Sequence, residues 1–161
     1  MPVYLFTFHA YRSWMPDRRQ GYVVRGEGIL PPDKDAADNY RNRAKHDLIE
    51  FDDAMGWAVI DETATLCEEE EWTLYETTAD KTHVHILVGW RSEAKRDAVA
   101  KRLKQRLGRA LSVEKNRPGP WFSRGKGNKR VRNRKHFDYL LTKYLPKHGP
   151  IRYTLRHLRQ R

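Results

Sequence analysis

The sequence has 161 residues, of which 39% are hydrophobic and 33% are charged, and its net charge at neutral pH is +11. No stretch approaches the roughly 20 apolar residues that cross a bilayer, and the single cysteine, Cys67, excludes an internal disulfide and argues against a zinc–thiolate cluster. This length suits one core, so we expect one domain over residues 1–161. The amino terminus lacks a basic leader, which predicts a cytoplasmic protein, nucleoid-associated if prokaryotic, with no membrane partner.

The positive charge is concentrated in the second half of the chain. Residues 1–90 hold nine Lys and Arg against 17 Asp and Glu, whereas residues 91–161 hold 23 against four. A polycationic segment with interleaved aromatic residues is typical of proteins that bind a phosphate backbone. We therefore predict a nucleic-acid partner, and we expect residues from about 150 to 161 to form a basic tail.

The first half of the chain is predicted to contain a strand, an irregular insertion and a helix. Alternating apolar residues at Val3–His9 predict the strand. Glycine and proline then recur so often that residues from about 12 to 35 are predicted to be an insertion, with a short hairpin at Tyr22–Val24. From Ala36, apolar residues at steps of three or four predict one helix that Gly56 ends. Two short strands are predicted next, at 57–60 and 72–78.

The second half begins with the clearest strand, Lys81–Trp90. Its period of two places His83, His85 and Leu87 on one face and Val84, Ile86 and Val88 on the other. Ser92 is then predicted to cap an amphipathic helix with Val99, Leu103, Leu107, Ala110 and Leu111 on its apolar stripe. Residues 116–133 are predicted to be a basic loop, and a last helix is predicted from about Lys135.

This order of elements predicts an α+β fold of the ferredoxin-like or RRM-like class. Such a fold has an antiparallel sheet with two helices on one face. The apolar face of the histidine strand is expected to pack on those helices. His83 and His85 then face the other side of the sheet, where the last helix is expected to cover them.

The histidine pair predicts a metal site. Residues i and i+2 of a strand project side by side, about 7 Å apart, so both imidazoles can reach one ion. A pair of surface histidines with no ligand remains an alternative at this point, because spacing alone does not distinguish the two.

Several segments together resemble a known family. They are Tyr11–Asp17, Gly21–Val23, Thr82–Gly89, Ser123–Gly125 and Tyr144–His148. In this order and at this length the chain resembles the single-tyrosine HUH transposases, including the REP-associated tyrosine transposases. The resemblance implies a single HUH transposase-like catalytic domain with a nucleophilic tyrosine on its C-terminal helix.

The resemblance also implies the reaction and its cofactor. Family members use a helical tyrosine to cut one strand of DNA at a phosphodiester, which leaves a 5′-phosphotyrosine and a free 3′-hydroxyl that can later be rejoined. They use a divalent metal, Mg or Mn, held by two histidines and by a third polar residue four positions after the tyrosine. The implied partner is single-stranded or hairpin DNA, and a homodimer is left open.

Two tyrosines are candidates for the nucleophile. Tyr144 has His148 four residues later, so both side chains share a helix face and can meet one ion, with His148 as the third ligand. Tyr139 is the alternative, but Lys143 stands at the matching place and cannot ligate while protonated. Family members usually have Gln or Asn where this chain has His148, and Pro146 is expected to disturb the helix between them.

Basic residues of the second half are predicted to contact DNA phosphates. Trp121 is predicted to stack on an unpaired base, with Phe122 and Tyr153 as further aromatic candidates. The predicted phosphate contacts are Lys101, Arg102, Arg106, Arg124, Lys126, Lys129, Arg130, Arg132 and Arg134.

Three other functions stay open from the sequence. The first is a non-catalytic RRM-like module that binds single-stranded nucleic acid, although the aromatic strand signature of that class is absent. The second is a metal nuclease that uses water as its nucleophile. The third is a domesticated relative that binds DNA hairpins without cutting them.

Overall fold

The structure is a computed structural model that describes residues 1–24, 26–125, 127–149 and 151–154, with the backbone alone for 152–154. Lys126, the side chain of Tyr153 and most of the predicted basic tail, residues 155–161, lie outside the described residues. Within the described part of the chain, no helix is both long enough and apolar enough to span a bilayer.

A five-stranded antiparallel sheet forms the centre of the fold. Its strand order is β6-β1-β5-β4-β7. The strands are β1 (Val3–His9), β4 (Thr73–Ala79), β5 (His83–Gly89), β6 (Gly127–Arg130) and β7 (Ile151–Thr154). A separate hairpin of β2 (Tyr22–Val24) and β3 (Gly28–Leu30) lies in the insertion, as predicted.

In the described residues, four α-helices accompany the sheet: α1 (Lys34–Arg43), α2 (Asp53–Glu69), α3 (Arg96–Glu114) and α4 (Arg134–Tyr139). The core strands β1, β4, β5 and β6 with the crossovers α2 and α3 have the order of two interlocked β-α-β units, which is the ferredoxin-like arrangement. The predicted fold class is therefore confirmed. Strand β7 extends the sheet beyond β4 after the last helix.

The two faces of the sheet have different cores. The larger core lies between the sheet and helices α2 and α3, and it contains Val84, Ile86 and Val88 of β5 as predicted. A smaller core on the other face joins Leu5 and Leu87 to Leu140 and Leu145, which follow α4. The segment after α4 thus covers the histidine face of β5.

The predicted long helix from Ala36 to Gly56 is wrong. Helix α1 ends at Arg43, and α2 begins after Asp52, whose carboxylate accepts from the backbone of Met55 at 2.9 Å. Between them the backbone N–H of Ile49 donates to Tyr11, and that of Phe51 donates to Lys81. These long-range hydrogen bonds hold an extended segment where local periodicity favoured a helix.

Three other local predictions also fail. Residues 57–60, predicted as a strand, lie inside α2, where Val59 and Ile60 are fully buried. A short apolar run in a buried helix cannot be told from a strand by its periodicity. Ser92 does not cap α3, which starts after Lys95 without a side-chain cap. The predicted loop 116–133 contains β6, whose polar sequence Gly127–Arg130 lacks the apolar alternation of a strand but pairs with β1.

Candidate active site

Three histidines meet on the face of the sheet opposite α2 and α3. His83 and His85 project from β5, and His148 approaches from the segment after α4. One ligand nitrogen from each lies within 4.8 Å of the others. The structure therefore brings together the three residues that the sequence proposed as metal ligands.

Side chains from neighbouring strands and turns hold two of these imidazoles. Nδ1 of His85 lies 2.8 Å from the hydroxyl of Thr7 on β1. Nδ1 of His83 lies 3.0 Å from a carboxylate oxygen of Asp80 and 2.9 Å from the hydroxyl of Thr82. These contacts occupy Nδ1 of each ring and leave Nε2 as the ligand atom, which is how metal-binding histidines are usually oriented.

The environment of His85 and His148 favours the neutral form of both imidazoles. Burial, followed by the electrostatic effect of neighbouring His83, lowers the pKa of His85 to about 3. Burial, with His83 second, also lowers the pKa of His148. A metal ion binds the unprotonated nitrogen of imidazole, so the low pKa values favour ligation over protonation.

A divalent ion fits this donor set. His85 is only 3% exposed, and its Nε2 is buried with no hydrogen-bond partner among the described residues. An unsatisfied buried nitrogen costs free energy, which a bound ion would recover. Ligands about 2.1 Å from one ion lie up to roughly 4 Å apart, so small side-chain rotations would close the cluster around it.

The backbone after α4 is irregular where it delivers Tyr144 and His148. A π turn covers Leu140–Tyr144, in which the N–H of Leu145 donates to the carbonyl of Leu140. A 3₁₀ turn follows over Leu145–Lys147. Pro146 has no N–H and cannot continue an α-helix, so the predicted regular last helix ends early, at Tyr139. π turns often occur at functional sites.

Tyr144 lies within the histidine cluster and Tyr139 lies outside it. The Tyr144 ring centroid is 4.3 Å from that of His148 and 5.4 Å from that of His85. Burial, followed by Tyr139, raises the pKa of Tyr144. Tyr139 is 54% exposed, and its ring contacts that of Tyr144 at 6.5 Å. Among the ring contacts of the described residues, none joins Tyr139 to a histidine of the cluster.

The structure adds three site residues that the sequence analysis missed: Thr7, His9 and Asp80. His9 pairs with His83 across β1 and β5, and their ring centroids are 5.8 Å apart. Burial, followed by the electrostatic effect of His83, lowers the pKa of His9 to about 4. Burial raises the pKa of Asp80, but the hydrogen bonds that it accepts from His83 and Thr82 have the larger combined effect and lower it. The alternation of β1 placed Thr7 and His9 on one face, but only the strand register shows that they meet the histidines.

Three predicted phosphate contacts lie on helix α3, on the other side of the sheet from the histidines. Arg106 donates to Glu62 and Glu69, and Arg102 donates to Glu70, so both arginines pair with acids of α2 and the turn after it. Lys101 is exposed on the same helix. The structure does not bring these residues to the candidate active site.

Trp121 is not available to stack on a base, and that prediction is wrong. The side chain is 4% exposed in the larger core, and its indole N–H donates to the hydroxyl of Ser112 at 2.8 Å. Phe122 also packs against this core, where its ring contacts those of Phe8 and Phe51. The two aromatic residues anchor the basic loop.

The remaining predicted contacts lie on or beside β6 and α4. Lys129 on β6 pairs with Leu5, so it projects to the same side of the sheet as the smaller core. Arg130, Arg132 and Arg134 line an open groove of about 500 Å³ with Phe137. Arg134 is also paired with Asp138. Arg124 is exposed in the loop before β6.

Solved structures with a similar fold include two transposases. A proposed transposase from Deinococcus radiodurans R1 is 11% identical, with a TM-score of 0.48, over 92% of this chain and 93% of that chain. A REP-associated tyrosine transposase, solved bound to a REP hairpin, is 9% identical, with a TM-score of 0.48, over 99% of this chain and 80% of that chain. No family model and no curated protein sequence matches this chain.

Proposed function

We propose that this chain is a metal-dependent single-strand DNA endonuclease and strand transferase with Tyr144 as its nucleophile. One observation carries the proposal: the Tyr144 ring packs directly against His148 and His85 of a three-histidine cluster. A neutral phenol is a weak nucleophile, and a phosphodiester repels anions. A divalent ion beside the phenol would reduce both obstacles to attack on phosphorus.

The proposed metal site consists of His83, His85 and His148. A Mg or Mn ion held there would polarise the scissile phosphate and neutralise charge on its oxygens. Thr7 and Asp80 would fix the rings of His85 and His83 through their Nδ1 atoms. The two strand histidines are thereby held rigidly, whereas His148 depends on the turns after α4.

The reaction is a transesterification. The Tyr144 oxygen bonds to phosphorus in line with the 3′-oxygen of the preceding nucleotide, and the phenol gives up its proton. The bond from phosphorus to that 3′-oxygen breaks, and the oxygen takes up a proton to become a hydroxyl. The products are a 5′-phosphotyrosine and a 3′-hydroxyl, and attack by the 3′-hydroxyl of another strand reverses the linkage without an external energy source.

The DNA is proposed to lie across the histidine face. The α2/α3 face pairs some of its cations with Glu62, Glu69 and Glu70, whereas Lys129 projects toward the site side of the sheet. Most of the positive charge of the chain lies beyond residue 90, in segments that supply α3 and also β6, α4 and the turns that carry Tyr144. Hairpin DNA is the first substrate to test.

The test is an adduct assay. The protein is incubated with Mn²⁺ and single-stranded oligonucleotides that carry a hairpin and a label at the 5′ or the 3′ end. We expect an SDS-stable adduct that retains the 3′ label and a released 5′-labelled fragment. Tyr144→Phe should abolish the adduct, and Tyr139→Phe, the matched control, should retain it.

Each other outcome has a defined meaning. An adduct lost in Tyr139→Phe and kept in Tyr144→Phe would overturn the assignment of the nucleophile. Cleavage without an adduct would indicate a nuclease that uses water. Tight binding without cleavage in any metal would indicate a non-catalytic binding module or a relative that has lost its activity.

A further inference from the structure

We propose that Trp14 and Arg18 form a phosphate-binding subsite for the DNA strand, beside the histidine cluster. We call this pair the Trp14–Arg18 subsite. It deepens the proposed function, on which it rests for the identity of the bound strand as DNA. Its ligand is a phosphodiester close to the scissile one.

The guanidinium group of Arg18 lies over the Trp14 ring, and no carboxylate among the described residues pairs with it. Its central carbon lies 3.5 Å from the centroid of the Trp14 ring, within stacking distance. Nη1 of Arg18 is buried and has no hydrogen-bond partner in the described ranges. A buried donor without an acceptor costs free energy, and an oxygen atom of a bound ligand would recover it.

The nearest acid in sequence is already engaged. Asp17 accepts from Arg41 of helix α1, which also binds Asp38. Arg106 is paired in a similar way, with Glu62 and Glu69. Arg18 differs from Arg106 because its guanidinium lies on an aromatic ring and lacks a carboxylate partner among the described residues. A guanidinium in this arrangement suits a phosphate ligand.

The subsite lies next to the proposed metal site. The Trp14 ring centroid is 4.2 Å from that of His9, and the His9 ring centroid is 5.8 Å from that of His83. Trp14 is 41% exposed, so the tryptophan side of the subsite is open to solvent. A strand whose scissile phosphate lies at the histidines would therefore pass this pair.

The backbone of the insertion fixes the subsite in place. The hydroxyl of Ser13 donates to the carbonyls of Ala10 and Thr82, each at 2.9 Å. The N–H of Gly21 donates to the carbonyl of Arg18 at 2.8 Å. Thr82 also contacts His83, so the same turn ties the subsite to the metal ligands. An exposed tryptophan on such an anchored loop is prearranged for binding.

The test compares Arg18→Gln with Arg19→Gln. Arg19 is the exposed neighbour, so both variants lose one positive charge on the same loop. Affinity is measured at several NaCl concentrations for an oligothymidylate of about 16 nucleotides. Arg18→Gln should bind about tenfold more weakly, and its salt slope should fall by about 0.7. Arg19→Gln should stay within about twofold of the unmodified protein, because rim charges contribute little.

Equal weakening in both variants, or no weakening in Arg18→Gln, would overturn the subsite. Calorimetry should give the same Mn²⁺ affinity for Arg18→Gln and Arg19→Gln as for the unmodified protein, which would show that the histidine cluster is intact. If Arg18→Gln does not fold, Trp14→Ala keeps every charge and should still weaken binding, with Trp14→Phe restoring it. The binding assay does not depend on cleavage. If the adduct assay failed but Arg18→Gln still bound the oligonucleotide more weakly than Arg19→Gln, the proposed chemistry would be rejected and the subsite would be retained.

Discussion

The hydroxyl of Thr7 lies 2.8 Å from Nδ1 of His85, its direct partner across β1 and β5. The contact leaves Nε2 of His85 as the atom that points into the cluster, where it has no partner in the described part of the chain. Thr7 therefore sets the orientation of the most deeply buried ligand of the proposed metal site.

Thr7→Val should weaken metal binding while preserving the shape of the core. Valine has nearly the same volume but offers Nδ1 of His85 no hydrogen bond, so the ring loses its fixed orientation. We expect the dissociation constant for Mn²⁺, measured by calorimetry, to rise about 10- to 100-fold. Thr7→Ser keeps the hydroxyl and should bind nearly as well as the unmodified protein. Equal affinity in Thr7→Val would show that this contact does not support ligation.

Mn²⁺ should raise the thermal stability of the protein through His85. An ion that binds the folded state alone adds about 2.7 kcal/mol when present at 100 times its dissociation constant, or roughly 5–10 °C in Tm for a chain of this size. Scanning calorimetry with and without Mn²⁺ measures the shift.

His85→Ala should remove this Mn²⁺-dependent shift. His136→Ala is the control, because His136 lies on α4 and does not belong to the cluster. A shift that persists in His85→Ala would place the ion elsewhere.

The proposed ligands could be predicted from the sequence because their spacing is local. The two-residue period of β5 put His83 and His85 on one face, and His148 lies four positions after Tyr144. The structure brings all four together. Thr7 and His9 could not be linked to them, since the pairing of β1 with β5 joins residues more than seventy positions apart. Local patterns carry no information about such a register.

The helices were harder to predict, for a related reason. Long-range hydrogen bonds from Ile49 and Phe51 hold an extended segment between α1 and α2. The apolar spacing there matches a helix, but tertiary contacts decide the backbone. The same holds for β6, which is a strand because it pairs with β1.

The metal-free protein should lose stability as the pH falls from about 6.5 toward 4. Burial lowers the pKa of His9 to about 4 and that of His85 to about 3 in the fold, whereas an unfolded histidine titrates near 6.5. Between these values the unfolded chain binds more protons, so the free energy of unfolding decreases with decreasing pH, by at most about 1.4 kcal/mol per pH unit for each histidine.

Urea denaturation from pH 7 to pH 4.5 measures this dependence. The His9→Gln variant should show a shallower decline than the unmodified protein, because one of the two buried imidazoles is gone. Parallel declines in the two proteins would mean that His9 is as easily protonated in the fold as in the unfolded chain.

Gly149 joins His148 to β7, and its replacement by alanine should disturb both. Its φ is +124°, and a Cβ there would lie 2.5 Å from the carbonyl oxygen of Ala79 on β4, which is backbone and cannot move aside. We expect Gly149→Ala to reduce the free energy of unfolding by about 1–3 kcal/mol.

Because His148 immediately precedes this turn, adduct formation by Gly149→Ala should fall by more than the loss of folded protein explains. Gly108→Ala is the matched control: Gly108 lies in helix α3, a Cβ there meets no atom within 4 Å, and alanine should raise stability by up to about 1 kcal/mol. Urea denaturation and the adduct assay on the same two preparations give both quantities. If Gly149→Ala lost stability but kept its adduct yield per folded molecule, the turn would not be what positions His148.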